Sequence, residues 1–211
     1  MLFRNRWDAG VQLGEALSRY RGQDVVVYAL PRGGVVVGVE VARLLDAPLD
    51  LIIARKVGHP AQPEYAIGAV DADGHRVINE SEAGAVDPQW FDREVDAERR
   101  EAERRRDLYL GGRRPIPATG RVAIIVDDGL ATGLTMQVAI KRVRAEKPRR
   151  LVVAVPVAPA ESVATLESQA DEVVALYTPD PFFAIGRFYD DFQQVSDAEV
   201  VGLLNVRPSR S

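Results

Sequence analysis

The hydrophobic and polar positions along the chain alternate between two periods. Apolar, β-branched runs that suit strands buried on both faces occur at 24–30 (DVVVYAL), 49–55 (LDLIIAR), 121–128 (RVAIIVDD), 150–157 (RLVVAVPV) and 172–177 (EVVALY). Between them helical spacing takes over. Residues 7–20 place Val11, Leu13, Ala16 and Leu17 at that spacing, and further helices are expected over 34–46, about 134–146 and about 159–169. IGAVDA and HRVIN, separated by Asp73-Gly74, predict a β-hairpin, because Asp-Gly suits the positive φ angles of a tight turn. Strand runs alternating with helices imply parallel βαβ units. The expected fold class is α/β, with a mostly parallel central sheet flanked by helices.

One segment breaks this rhythm. Residues 88–110 (PQWFDREVDAERREAERRRDLYL) are densely charged, and Phe91, Val95, Ala102 and Tyr109 form a narrow apolar seam. Acids lead and arginines follow, which suits the helix dipole, and Asp96–Arg100 and Glu101–Arg105 are i,i+4 pairs. The pattern predicts a charged helix within an insertion over 80–120. Two readings stand: a solvated helix packed along one stripe, or a lid or subunit contact.

Composition narrows the function classes. A chain of 211 residues fits one domain, 1–211. It has no cysteine, which removes disulfides, zinc–thiolate sites, iron–sulfur clusters and cysteine nucleophiles together. Two histidines, His59 and His75, leave too little for a His-rich metal site. A net charge of −4 argues against nucleic acid and anionic membranes as partners. The segment MLFRNRWDAG lacks the apolar core of a signal peptide, and no apolar run approaches the ~20 residues of a membrane span. The expectation is a cytoplasmic protein, and a homodimer is compatible with it.

The chemistry concentrates in IIVDDGLATGLTMQ, residues 124–137. A buried strand ends in two carboxylates, passes through a glycine-containing loop and opens a helix. In parallel sheets ligands bind beyond the carboxyl ends of the strands. Unpaired N–H groups at the helix start, with the Thr132 and Thr135 hydroxyls, make a phosphate cradle. The acids can accept hydrogen bonds from sugar hydroxyls or hold Mg2+ directly or through water. A bland alternative has solvated acids at a strand end and a Gly-Thr helix cap. No GxxxxGK[ST] lysine is present, so this is not a Walker A loop.

This segment resembles the phosphoribosyl-pyrophosphate (PRPP) motif of type I phosphoribosyltransferases: four apolar residues, two acids, two variable positions, then a residue followed by TGxT. LPRGGVVVG (30–38) resembles that family's pyrophosphate loop. ARKVG (54–58) is similar to the basic segment of adenine phosphoribosyltransferases, and PFFAIGRFYDDF (181–192) to the hood of hypoxanthine-guanine enzymes. The similarity runs in order from about 24 to 192, and the 80–120 insertion resembles a bacterial group of phosphoribosyltransferase-like proteins. The resemblance implies a type I phosphoribosyltransferase fold, with a small hood to which about 178–211 contribute. It implies an enzyme that uses PRPP and Mg2+ and transfers phosphoribosyl to a nitrogenous base with release of pyrophosphate, as in nucleotide salvage.

Residue by residue, the resemblance assigns Asp127 and Asp128 to the ribose, as catalytic groups. Ala131, Thr132, Gly133, Leu134 and Thr135 would wrap the 5-phosphate. Arg32, Gly33, Gly34, Arg55 and Lys56 would serve pyrophosphate. Phe183 and Ile185 would face the base, and Asp127, Asp128 and Asp190 the metal. Tyr65 would be near a flexible loop. This chain departs from the family at Gly129, where an aliphatic residue is usual. Ala131 stands where 6-oxopurine enzymes carry aspartate, and VAVPVAPAES lacks their purine-contacting lysine. The acceptor therefore stays open. Two other classes remain: a PRPP- or nucleotide-binding regulator without turnover, and a phosphosugar hydrolase on the same cradle.

Overall fold

The computed structural model describes residues 2–205; Met1 and the 206–211 end of the expected hood segment lie outside them. Five parallel strands form the central sheet: β1 (Val25–Ala29), β2 (Leu49–Leu51), β6 (Val122–Val126), β7 (Arg150–Val157) and β8 (Glu172–Tyr177), in spatial order β2-β1-β6-β7-β8. Period-two alternation sorts their side chains. Val25, Val27, Val122, Ile124 and Val126 pack under helices α1 (Arg6–Ala16) and α2 (Gly33–Leu45). Val26, Tyr28, Ala123 and Ile125 pack on the opposite face with α5 (Leu134–Ala145) and α6 (Ala160–Glu167). With both faces covered, strands β1 and β6 are buried along their whole length.

A second, antiparallel sheet contains β3 (Ala54–His59), β4 (Gln62–Asp71) and β5 (Arg76–Ile78). The β4–β5 hairpin turns at Gly74, φ 87°, where the Asp-Gly pair predicts it. The apolar run 49–55 reads as one strand but divides between the two sheets. β2 ends at Leu51, and β3 begins at Ala54 with a new partner. Buried Asp50 secures this departure, accepting from the backbone N–H groups of Leu51 (2.8 Å) and Ile116 (2.7 Å).

Helix α4 (Pro88–Leu110), which follows the short α3 (Glu80–Ala83), lies outside both sheets. Asp87 caps its start by accepting from the Gln89 N–H, Pro88 occupies the first turn, and Gly111 closes it in a left-handed conformation. Its buried residues include the expected seam, Phe91, Val95, Ala102 and Tyr109. Phe91 and Val95 pack on the antiparallel sheet with Val57, Ile67 and Val70. Ala102, Tyr109 and Leu110 join Ala29, Val35 and Leu51 near α7 (Asp197–Asn205). The Tyr109 hydroxyl donates to Asp197 at 2.6 Å, and burial pushes its pKa up to about 12. The helix is thus stitched into the packing at both ends, and no helix among the described residues is long and apolar enough to cross a membrane.

Candidate active site

A cleft of about 680 Å³ opens at the carboxyl end of the central sheet, where β6 delivers Asp127 and Asp128 to its floor. The backbone turns sharply here: the Asp128 N–H donates to Asp127 Oδ1 at 2.8 Å. Asp128 Oδ2 accepts from Arg6 Nε at 2.6 Å, with both side chains almost wholly covered. Arg6 lies over the Phe192 ring, 3.7 Å from its centroid, and donates to the Gln193 carbonyl at 2.7 Å. The Tyr189 hydroxyl donates to the Asp128 carbonyl at 2.6 Å. Both chain ends therefore brace the acid pair. Burial holds both carboxyls above the ordinary carboxylate range, Asp127 well above it because the Asp128 charge adds to the effect. Lys56 pulls Asp127 back somewhat, and Arg6 does the same for Asp128.

The loop beyond the acids is held from two sides. The Leu130 N–H donates to the Val157 carbonyl at 2.9 Å, and the Ser162 hydroxyl donates to the Ala131 carbonyl at 2.7 Å. Gly133 adopts φ 74°, which L side chains rarely accept, and launches α5. Ala131, Thr132, Gly133 and Thr135 line the cleft; Leu134 is the first residue of α5 and does not. The first N–H groups of that helix have no intrahelical carbonyl. Gly129 departs from the family pattern for a packing reason: a Cβ there would come within 2.6 Å of the Ile185 side chain.

The expected pyrophosphate residues separate. Arg55 and Lys56 line the cleft with Pro31, whereas Arg32, Gly33 and Gly34 do not. Gly33 and Gly34 press against the acid pair from behind: a Cβ on Gly33 would overlap Asp128 Oδ2, and one on Gly34 would lie 2.8 Å from Asp127 Oδ1. The Pro31–Arg32 peptide bond is cis. Arg32 turns toward α7, with Nη1 3.7 Å from Asp197 Oδ1. Arg55 Nε donates to Glu98 of α4 at 2.7 Å. Lys56 is exposed and makes no ion pair among the described residues.

The hood residues also divide. Ile185 lines the cleft. Phe183 lies outside it, 69% exposed with Arg187 over its ring, because the aromatic packing of this segment is made by Phe182, Phe188, Tyr189 and Phe192 instead. Asp190 is exposed and outside the cleft, its N–H bound to the Phe3 carbonyl, so it does not join the acid pair. Tyr65 is exposed on β4 and lies outside the cleft as well, although its neighbours Pro63 and Glu64 line it. His59 lines the cleft, while His75 Nδ1 lies 3.0 Å from Asp71 Oδ2, an i,i+4 partner that sequence reasoning passed over. It also missed Arg6, Tyr189 and Ser162, which no local pattern marks. Trp90, Glu94 and Glu98 of α4, four residues apart, line the cleft too; that spacing was available as a signal.

No group of three or more His, Asp or Glu among the described residues is arranged to hold a metal ion. The donor chemistry at the floor nevertheless fits a hard divalent cation shared with a ligand. Two adjacent carboxylates meet there, and among the described residues a single ion pair, from Arg6, balances them.

Comparisons with known proteins bear on the family and the fold. The model of the phosphoribosyl transferase domain matches residues 11–192. Two curated relatives, from two strains of Mycobacterium tuberculosis and both named as phosphoribosyl transferases, are 47% identical over 206 residues. The match takes in 97% of this chain and 46% of theirs, so the chain spans about half the length of those relatives. The crystal structure of TT1426 from Thermus thermophilus superposes with a TM-score of 0.81 at 44% identity, covering 97% of this chain and 98% of that one. With an acid pair and a TGLT loop at the end of a parallel strand, and a family match across most of its length, the chain belongs to the type I phosphoribosyltransferase family.

Proposed function

We propose that this chain is a phosphoribosyltransferase that binds PRPP with Mg2+, transfers the phosphoribosyl group to a nitrogen of a base, and releases pyrophosphate. The observation that carries the reading is one cleft holding the acid pair, the phosphate loop and an unpaired lysine. The loop 131–135 binds the 5-phosphate through backbone N–H groups and the Thr132 and Thr135 hydroxyls. Asp127 and Asp128 accept hydrogen bonds from the ribose hydroxyls and favour positive charge growing at the anomeric carbon. Lys56 meets the leaving pyrophosphate, with Arg55 beside it. Gly33 and Gly34 serve that end indirectly, by leaving room for the acids, whereas Arg32 faces Asp197. Arg6 keeps Asp128 in place.

Asp127 and Asp128 would hold Mg2+, directly or through water, and the ion would supply charge neutralisation for the pyrophosphate. The chain's own contribution is orientation and electrostatics, and no protein nucleophile takes part. The test is a pyrophosphate-release assay with PRPP and Mg2+ across purines, pyrimidines and other amines, paired with calorimetric titration of PRPP. Release that requires an acceptor is expected. Release with water alone makes the chain a hydrolase, and absence of PRPP binding overturns the reading.

A further inference from the structure

We propose that Trp90, Glu94 and Glu98 of α4 form the acceptor wall of the cleft, selecting a planar nitrogen heterocycle that carries N–H or amino donors and no negative charge. This rests on the phosphoribosyltransferase reading and names the chemical class of its second substrate.

The argument starts from helical spacing. Positions 90, 94 and 98 recur every fourth residue and so share one face of α4. The buried stripe that includes Phe91 and Val95 runs beside them and pins the helix to the antiparallel sheet. That leaves the adjacent stripe lining the cleft, where Trp90, Glu94 and Glu98 are joined by Glu64 from β4. The three α4 residues have different commitments. Glu98 already accepts from Arg55 and ties the stripe to β3. Glu94 and Glu64 make no side-chain hydrogen bond or ion pair among the described residues. Trp90 is half-buried and is the large aromatic side chain that lines the cleft, a role Phe183 does not take from its exposed position outside.

The chemistry of the ligand follows. An indole offers a flat face on which a ring can stack. Carboxylates only accept hydrogen bonds, so the groups opposite them must donate. The cleft's available cation, Lys56, is already assigned to pyrophosphate, and Arg55 is held by Glu98. A carboxylated ring would therefore meet Glu64 and Glu94 without a compensating charge, and like charges in a partly desolvated cleft repel. An aminated ring meets two acceptors.

The experiment exploits the chain's two tryptophans. Trp7 lies on α1 outside the cleft, so Trp7→Phe leaves Trp90 as the lone reporter. Adenine and cytosine, as aminated probes, and nicotinate and orotate, as carboxylated ones, are titrated against Trp90 fluorescence with and without ribose 5-phosphate, correcting for probe absorbance. Saturable quenching by at least one aminated ring is expected, with the carboxylated rings at least ten-fold weaker. Glu94→Gln should narrow that ratio several-fold and Glu64→Gln should do so less, while Trp90→Phe, which removes the reporter and is read by calorimetry instead, should retain ring binding, all with unchanged circular dichroism. The proposal is overturned if no aminated ring quenches saturably, if nicotinate or orotate binds as tightly, or if Glu94→Gln leaves the ratio unchanged. Calorimetry with PRPP reports separately on the underlying reading. A chain that binds PRPP but ignores ring charge loses the acceptor wall alone, and one that selects rings but does not bind PRPP loses the transferase reading alone.

Discussion

The two walls of the cleft are made by different physics. On one side, β1 and β6 are buried along their full length between two helical layers, and the acid pair and phosphate loop stand at the end of β6. On the other, β3 is mostly half-buried and α4 presents a charged surface with a narrow apolar seam. The first wall owes its position to packing that tolerates little movement. The second is held by fewer apolar contacts together with ion pairs such as Arg55–Glu98. The contrast suits a division of labour in which a rigid wall fixes phosphate and ribose, while a more polar wall sets the acceptor.

Substitutions can break that contrast at either wall. The largest effect is expected at Ile125, fully buried in β6: Ile125→Ala should cost about 2–5 kcal/mol in urea denaturation. Val95→Ala on α4 removes less buried surface and should cost about 1.5 kcal/mol. Equal losses would erase the distinction between the walls. Next comes Arg6→Ala, which strips the cation from Asp128 and should cost about 1.5–3 kcal/mol, with Arg6→Lys recovering part of it. A thermal melt showing no loss would mean that the 2.6 Å contact contributes nothing.

A smaller and pH-dependent effect is expected at Asp127. Its carboxyl is raised in the folded protein, so the fold binds that proton more tightly than the unfolded chain does. Stability from this group is greatest below the unfolded value of ~4 and falls as pH rises through the raised folded value. Asp127→Asn should flatten that slope, leave stability unchanged or higher above the window, and weaken PRPP about ten-fold or more. Denaturation midpoints across pH that keep the same slope in the variant would count against it. The smallest effect belongs to the surface of α4. Hydrogen bonds from Arg104 and Arg105 hold Glu101 down at about 2, so its contribution is present above the ordinary carboxylate value and lost as pH falls toward 2. Because the group is largely solvated, Glu101→Gln should cost less than about 1 kcal/mol at neutral pH, measured by the same denaturation.

Legibility in the sequence followed the range of the contacts and not the division between the walls. Strands 150–157 and 172–177 and helix 88–110 occupy the ranges their patterns predict, since burial on two faces or along one stripe writes a period into neighbouring residues. Within the candidate site, Asp127, Asp128, Thr132, Gly133 and Thr135 arrive in one frame, so a single strand–loop–helix carries them together. Asp190 and Arg32 had to be placed by contacts far along the chain, and Phe183 by the aromatic packing of its own segment. Asp190 and Phe183 end at the surface, and Arg32 turns toward Asp197.

The amino-acid sequence by itself determined the α/β class, the parallel strand direction implied by alternating strands and helices, the Asp-Gly hairpin and the acid pair ahead of its phosphate loop. Each of these is encoded within a dozen or so neighbouring residues. Tertiary structure alone decided that the 49–55 run divides between two sheets, that Arg6 reaches Asp128 from 122 residues away, and that α4 turns Trp90 and Glu94 into the cleft. The physical reason is that an apolar run states that it will be buried but not against what. A charged or aromatic side chain likewise acquires its partner only when packing brings distant segments within the few ångströms over which hydrogen bonds and stacking act.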